Sequence, residues 1–307
     1  MEYRRTIERK FTPGADPALS IANRRGSLQV RGEERSDIAF TATLRVHADN
    51  DQAADELFDA VELPISEHEG TIEIGPPELA GSEDEDGGFP GVGSWFGSRR
   101  DPVKIDMVAA VPRACSVRTR NRAGSTEVAG IHAVVAVESR AGRVNIREID
   151  GEVTAKARAG ALHLTSMRGN VHAETRAGSI EAERIAGDAA LSTRAGSVRL
   201  REVEGDVTVS TRTGGIELEN VDGEVRVSGK NGGVRYRGRV AHPVDIAVGT
   251  GAIQLGVTPD SSFFLDAKSD LGAVRSDLDV DATREADDYA PTVRLRTNQG
   301  AIRVVPA

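Results

Sequence analysis

The stretch Gly196–Thr213, GSVRLREVEGDVTVSTRT, consists of two similar halves, each opening on a glycine (Gly196, Gly205) and continuing with alternating apolar and polar residues. The same frame recurs every eighteen residues, with glycines at Gly124, Gly142, Gly160, Gly178, Gly196, Gly214 and Gly232. Half-repeat glycines follow at Gly151, Gly169, Gly187, Gly205 and Gly223. With the repeat glycine as zero, positions two and four are apolar (Val144, Ile146; Leu162, Leu164; Ile216, Leu218), as are positions eleven and thirteen (Val153, Ala155; Val207, Val209). Such period-two alternation marks a strand with one buried and one solvated face. An apolar residue at position seven (Ile149, Met167, Ile185, Val203) fills the corner between the two strands.

One two-stranded coil cannot bury its apolar face, but coils stacked at about 4.8 Å enclose a narrow core between two parallel sheets. The sequence therefore predicts an all-β, single elongated parallel β-solenoid with two short strands per coil. The crossover rule makes it right-handed. Glycine at each corner suits backbone with positive φ or without room for a Cβ.

Outward from the regular repeats (123–235), the chain is expected to form one continuous solenoid. In residues 236–307 the phrases GAIQLGV, GAVRSDL and GAIRVV keep the strand signature with longer outer loops. In residues 1–122, Leu19–Val46 alternates and reads as the first rungs. DQAADELFDAV (51–61) has helical spacing behind Asp51 as N-cap and predicts a short helix covering an open end. Residues 76–101, rich in Gly, Pro and acid, read as a long loop.

The net charge of -9 disfavours a dedicated nucleic-acid binder, although an average hides a local basic stripe. The single cysteine, Cys115, excludes an intrachain disulfide and a multi-cysteine metal site. No stretch has the length of an apolar membrane span, and MEYRRTIERK lacks the apolar core of a signal peptide. These features lead to the expectation of a cytoplasmic protein, with peripheral envelope association as the variant.

The recurring small-Gly-small-[Val/Ile]-x-[Leu/Val] phrase, after an opening NRRGSLQVRG and a middle AAVPRACSVRTR, resembles the bacterial adhesin-like β-strand-repeat family called the toast-rack domain. The resemblance covers most of the chain. It implies a repetitive scaffold, in some members part of envelope-associated or envelope-stress proteins, and it brings no catalytic residue.

Two residues before each repeat glycine stands a base: Arg122, Arg140, Arg158, Arg176, Arg194, Arg212 and Lys230. Stacked coils put these in one line, where like charges on neighbouring strands repel. Either the line is a track for an anionic polymer, or the guanidinium groups pair with Glu138, Glu174 and Glu181 and merely repeat by duplication. A denser basic group, Arg99, Arg100, Arg113, Arg118, Arg120 and Arg122, faces the acidic run Glu83–Asp86 in prospect. Phe89, Trp95 and Phe96 in the glycine-rich loop are candidate partner anchors, or they fold back onto the body.

His163 and His172 lie on opposite strands of one coil, and no histidine set has metal-ligand spacing. Glu152, Asp188, Asp206 and Glu224 share a column without the convergence that acid-base chemistry needs. Thr175, Thr193 and Thr211 form a further column, read as a turn ladder. The expectation is a non-enzymatic scaffold, without cofactor, metal or small-molecule substrate, that contacts a protein partner or associates with itself through solenoid ends. A polyanion-binding module is the alternative, and a polysaccharide-active β-helix enzyme comes third.

Overall fold

The computed structural model describes residues 1–68, 70–79, 103–278 and 290–307. Its strands fall into two large sheets, sheet A with fourteen strands and sheet B with thirteen, and a small pair, Val61–Glu62 with Glu78–Leu79. In the Gly142 coil, Val144–Asp150 belongs to sheet A and Val153–Ala159 to sheet B. Each strand pairs in parallel with the strand eighteen residues on, Val144 beside Leu162 and Val153 beside Val171. The offset between partners is therefore one repeat, and the alternation decides which residues enter the core. Val144, Ile146, Ile149, Val153 and Ala155 are all essentially inaccessible.

Two backbone devices close each coil. At Gly178, with φ +146°, an added Cβ would lie 2.0 Å from the carbonyl oxygen of Gly160 in the coil before. The glycine column is thus a close backbone approach as well as a conformational requirement. The second device is a left-handed residue at position six: Glu148, Ser166, Arg184, Glu202 and Asn220 have φ between 54° and 61°. Strict alternation after Val144 and Ile146 would turn Glu148 inward. The left-handed residue instead rotates the chain so that Ile149 points into the core and Glu148 stays exposed. That kink is why position seven, an odd position, is apolar.

The parallel stack holds across the repeats, but the ends correct two expectations. Residues 18–33 do form a first coil, Ala18–Arg25 beside Ser116–Ala123 and Leu28–Glu33 beside Thr126–Ile131. Ile38–His47 does not continue it. This strand runs antiparallel to both Glu2–Phe11 and Val103–Pro112, which close sheet A at that end. Its alternation, with Ile38, Phe40, Ala42, Leu44 and Val46 buried, specifies a strand with one core face but not the direction of its neighbour. In sheet B, Ile65–His68 likewise pairs antiparallel with Thr71–Ile74, which lies parallel to Ala18–Arg25.

The expected helix spans Asp51–Asp59, but its N-cap is Asn50, whose side chain accepts from the backbone N–H of Ala53 at 2.8 Å. Extended φ/ψ angles at Asn50 free its carbonyl and side chain for the first turn, leaving Asp51 as the acidic first-turn residue. Ala54 and Phe58 are buried in the core cluster, and Arg5 lies 4.7 Å over the Phe58 ring. The helix therefore covers the closed end.

At the other end the coils do not follow sequence order. Thr292–Gln299 sits between Val244–Thr250 and Phe264–Leu271, and Ile302–Pro306 sits between Ile253–Val257 and Val274–Ser276. Among the described residues the coil built from residues 264–276 is outermost, held by the later segment that slots in beneath it. No helix of the described residues is long and apolar enough to cross a membrane.

Candidate functional site: a basic column on sheet B

Outward-facing side chains of sheet B form three columns along the stack. Strand alternation sets them: in Val153–Ala159, Val153, Ala155 and Ala157 turn inward, while Thr154, Lys156 and Arg158 turn outward. The Arg158 column contains all seven bases named from the sequence, since Asn121, Ser139, Ala157, Thr175, Thr193, Thr211 and Gly229 beside them are in register. It also extends one coil further, to Arg24, because Asn23 pairs with Asn121. Counting from Gly124 missed Arg24, although NRRGS (23–27) matches NRAGS (121–125) letter for letter at four of five places.

Along the column the environment changes. Arg122 and Arg140 are half-buried, and in the next column Arg120 is paired with Glu138 at 3.1 Å. From Arg158 onward the bases are exposed. Arg158, Arg176, Arg194, Arg212 and Lys230 form no ion pair or side-chain hydrogen bond with the described residues. Of the acids thought to neutralise the line, Glu138 serves Arg120, and Glu181 is on sheet A, 3.1 Å from His163 and 3.5 Å from Arg199. Glu174, in the same neighbouring column as Glu138, stands near Arg176.

Sheet A shows the opposite treatment of charge. One of its outward columns reads Glu127, Asn145, His163, Glu181, Arg199, Glu217 and Arg235, alternating in sign through its later part. Arg199 bonds Glu217 at 2.9 Å, and this holds the Glu217 carboxyl below its ordinary range. Arg201 pairs with Glu219, and Arg147 with Glu127. A base thus recurs in every regular coil of the Arg158 column, while the sheet A column mixes signs.

Two shallow depressions lie along the basic line. One, of about 650 Å³, runs from Arg120 to Arg176; the other, of about 420 Å³, runs from Glu174 to Lys230. Beside the second, the middle column carries Ser192, Ser210 and Ser228 in successive coils, with hydroxyls that make no hydrogen bond to the described residues. This serine ladder was visible four residues before Gly196, Gly214 and Gly232, but it was not singled out.

The other marked residues have structural roles. Asp188 Oδ1 accepts from the backbone N–H of Asp206 at 2.9 Å, and Asp206 Oδ1 accepts from Glu224 at 2.9 Å, after Asn170 has done the same for Asp188. These side chains cap the turn of the next coil. Thr175, Thr193 and Thr211 face inward and are buried, and Thr193 donates to the Gly178 carbonyl at 3.5 Å. His163 and His172 stand on different sheets, and no metal-type cluster occurs among the described residues. Arg113 pairs with Glu34 at 3.0 Å. Phe89, Trp95 and Phe96, Arg99, Arg100 and the run Glu83–Asp86 lie outside the described residues.

The sequence pattern of the family described as Toastrack DUF4097 matches residues 143–304. Among solved structures, a "putative cell adhesion protein" from Clostridium sporogenes ATCC 15579 shares 12% identity, covers 99% of this chain and 100% of its own, and has a TM-score of 0.25. A "putative adhesin" from Bacteroides fragilis NCTC 9343 shares 10% identity over 99% of this chain and 97% of its own, with a TM-score of 0.37. A "putative lipid binding protein" from Parabacteroides distasonis ATCC 8503 shares 12% identity over 98% and 96%, with a TM-score of 0.26. A search of curated proteins finds no match.

Proposed function

The chain belongs to the Toastrack DUF4097 family, and from that premise we propose that it is a non-enzymatic interaction module whose sheet B face receives an anionic partner. The contrast between the two sheets carries this reading. Five exposed bases from Arg158 to Lys230 lie in one line without ion pairs to the described residues, whereas the outward bases Arg199 and Arg201 of sheet A pair with acids. Lined-up cations at strand spacing are unfavourable alone and become favourable when an anion lies across them. A catalytic reading has no such support, because Asp188 and Asp206 are committed to backbone N–H groups of the next coil.

Retention of the chain on a sulfonated matrix, followed against salt, tests the proposal. Replacing Arg158, Arg176 and Arg194 together by Glu should move elution to much lower salt. The same charge change at Arg201, Arg235 and Arg237 on sheet A should shift it far less. Equal shifts for the two triple variants would reduce the face to ordinary net charge and sink the proposal.

A second reading, association of two copies, rests on the outer coil of residues 264–276. Phe264, Leu265, Leu271 and Val274 are 45%, 39%, 68% and 45% exposed there, on strands without an outer neighbour among the described residues. The edge strands at the opposite end, Glu2–Phe11 of sheet A and Ile65–His68 of sheet B, carry Arg4, Arg5, Arg9 and Lys10, and Glu67 and His68, polar groups that discourage pairing. The pairing surface is thus one end only, and its product is a closed two-copy assembly and not a fibre. Light scattering across a hundredfold dilution should show the mass falling to that of one chain; a constant monomer mass excludes this reading.

A further inference from the structure

Building on the anionic-partner reading, we infer that the sheet B face binds a linear acidic polysaccharide, one charged sugar per coil, along Arg176, Arg194, Arg212 and Lys230. Spacing is the first reason. The bases repeat at the interval between neighbouring parallel strands, about 4.8 Å, and an extended chain of hexuronic acid residues advances by about that length per pyranose ring. The second reason is the neighbouring column. Ser192, Ser210 and Ser228 place hydroxyls next to Arg194, Arg212 and Lys230, all unengaged with the described residues, and a sugar offers hydroxyls as well as a carboxylate.

On the other flank lie Ala177 and Ala195, exposed and small, which leave the line of bases open from the corner. The depression over these coils is lined by Arg176, Ser192, Arg194, Ser210, Arg212 and Lys230. Its single acid, Glu174, stands at one end.

Rival polyanions fit less well. Duplex phosphates wind around an axis and do not run straight, and single-stranded nucleic acid is held through aromatic stacking platforms. The sheet B strands from Ser116–Ala123 to Val225–Asn231 contain no Phe, Tyr or Trp. A bilayer surface is a plane and engages a whole face, so the net charge of -9 works against it. A polymer one sugar wide touches the basic line alone. Acidic polysaccharides are met at cell surfaces, so the inference favours envelope association over the cytoplasmic location expected from the sequence.

Titration calorimetry of the full chain with oligomannuronates of two to eight sugars tests the inference, with polyphosphate, an oligothymidylate and phosphatidylglycerol vesicles as parallel probes. Affinity should climb steeply up to four sugars and then flatten. Arg194→Gln with Arg212→Gln should weaken binding by about tenfold or more. Ser192→Ala, Ser210→Ala and Ser228→Ala combined should weaken oligomannuronate severalfold and leave polyphosphate binding unchanged, because polyphosphate lacks sugar hydroxyls. Circular dichroism verifies that the variants fold. Preference for oligothymidylate or vesicles, or equal serine effects on both polymers, overturns the polysaccharide assignment while the anionic face stands. Binding to none of the four probes overturns both.

Discussion

Gly178→Ala should cost about 3–5 kcal/mol of stability. The added Cβ would lie 2.0 Å from the carbonyl oxygen of Gly160, and ordinary contact begins at 3.4 Å, so the two coils must separate locally by about 1.4 Å. That corner is spanned by Gly160 N–H to the Ala177 carbonyl at 3.0 Å and Leu162 N–H to the Ser179 carbonyl at 2.9 Å. Opened by that amount, both exceed hydrogen-bond length, a loss of about 1 kcal/mol each. Holding alanine at φ +146° adds about 1–3 kcal/mol, since only glycine populates that region readily. Gly215→Ala is the internal control: its Cβ would meet nothing nearer than the Gly233 carbonyl at 3.8 Å, so the change should be within about 0.5 kcal/mol of neutral. Urea unfolding of the two variants measures both values. A Gly178→Ala chain within 1 kcal/mol of the parent would show that the coils slide apart freely, and the close-approach explanation of the glycine column would fail.

Asp206→Ala should lose about 1 kcal/mol, because the Glu224 N–H at the next turn loses its acceptor. Asp206→Asn, which keeps that acceptor oxygen, should lose clearly less in the same urea titrations. Cys115 is fully buried, and burial pushes its thiol up to about 12. It should therefore resist thiol reagents at pH 8 until the chain unfolds, and rapid labelling of the native protein would contradict the buried placement. Ending the chain after residue 291 should remove amide exchange protection from Phe264–Leu271 and Val274–Ser276 although these residues remain, because their partners are Thr292–Gln299 and Ile302–Pro306.

The repeat was legible because each of its parts answers to one local requirement. Gly160 and Gly178 mark the corners, Val153 and Ala155 the core face, Arg158 the solvent face, and eighteen-residue spacing converts these into register. What escaped were choices that alternation does not encode. Ile38–His47 has the same period whether its neighbour is parallel or antiparallel, and its antiparallel pairing follows from the closing layer it shares with Glu2–Phe11. The apolar corner at Ile149 was visible, but the left-handed Glu148 behind it was not, because Glu, Ser, Arg and Asn at that position are polar like any solvent-facing residue and, Asn aside, have no preference for left-handed backbone. The N-cap moved by one residue to Asn50 because two adjacent residues both have capping side chains, and the structure decides by which one remains extended. For the candidate site, the bases were legible, whereas their isolation from acids required knowing that Glu181 sits on the other sheet.

The out-of-order coils at both ends also bear on how the molecule assembles. Interior coils join partners eighteen residues apart, while the first coil joins Asn23 to Asn121, ninety-eight residues away. On loop-closure entropy alone, that pairing is harder to initiate by about 1.5 kcal/mol. Folding should therefore nucleate among the regular repeats and spread outward, the first coil docking late. At the far end, residues 264–276 have no seat until 292–306 have emerged from the ribosome. A nascent chain paused before that point would carry Phe264–Leu271, with its exposed Phe264, Leu265 and Leu271, unpaired, the interval in which a chaperone or a second copy competes for it.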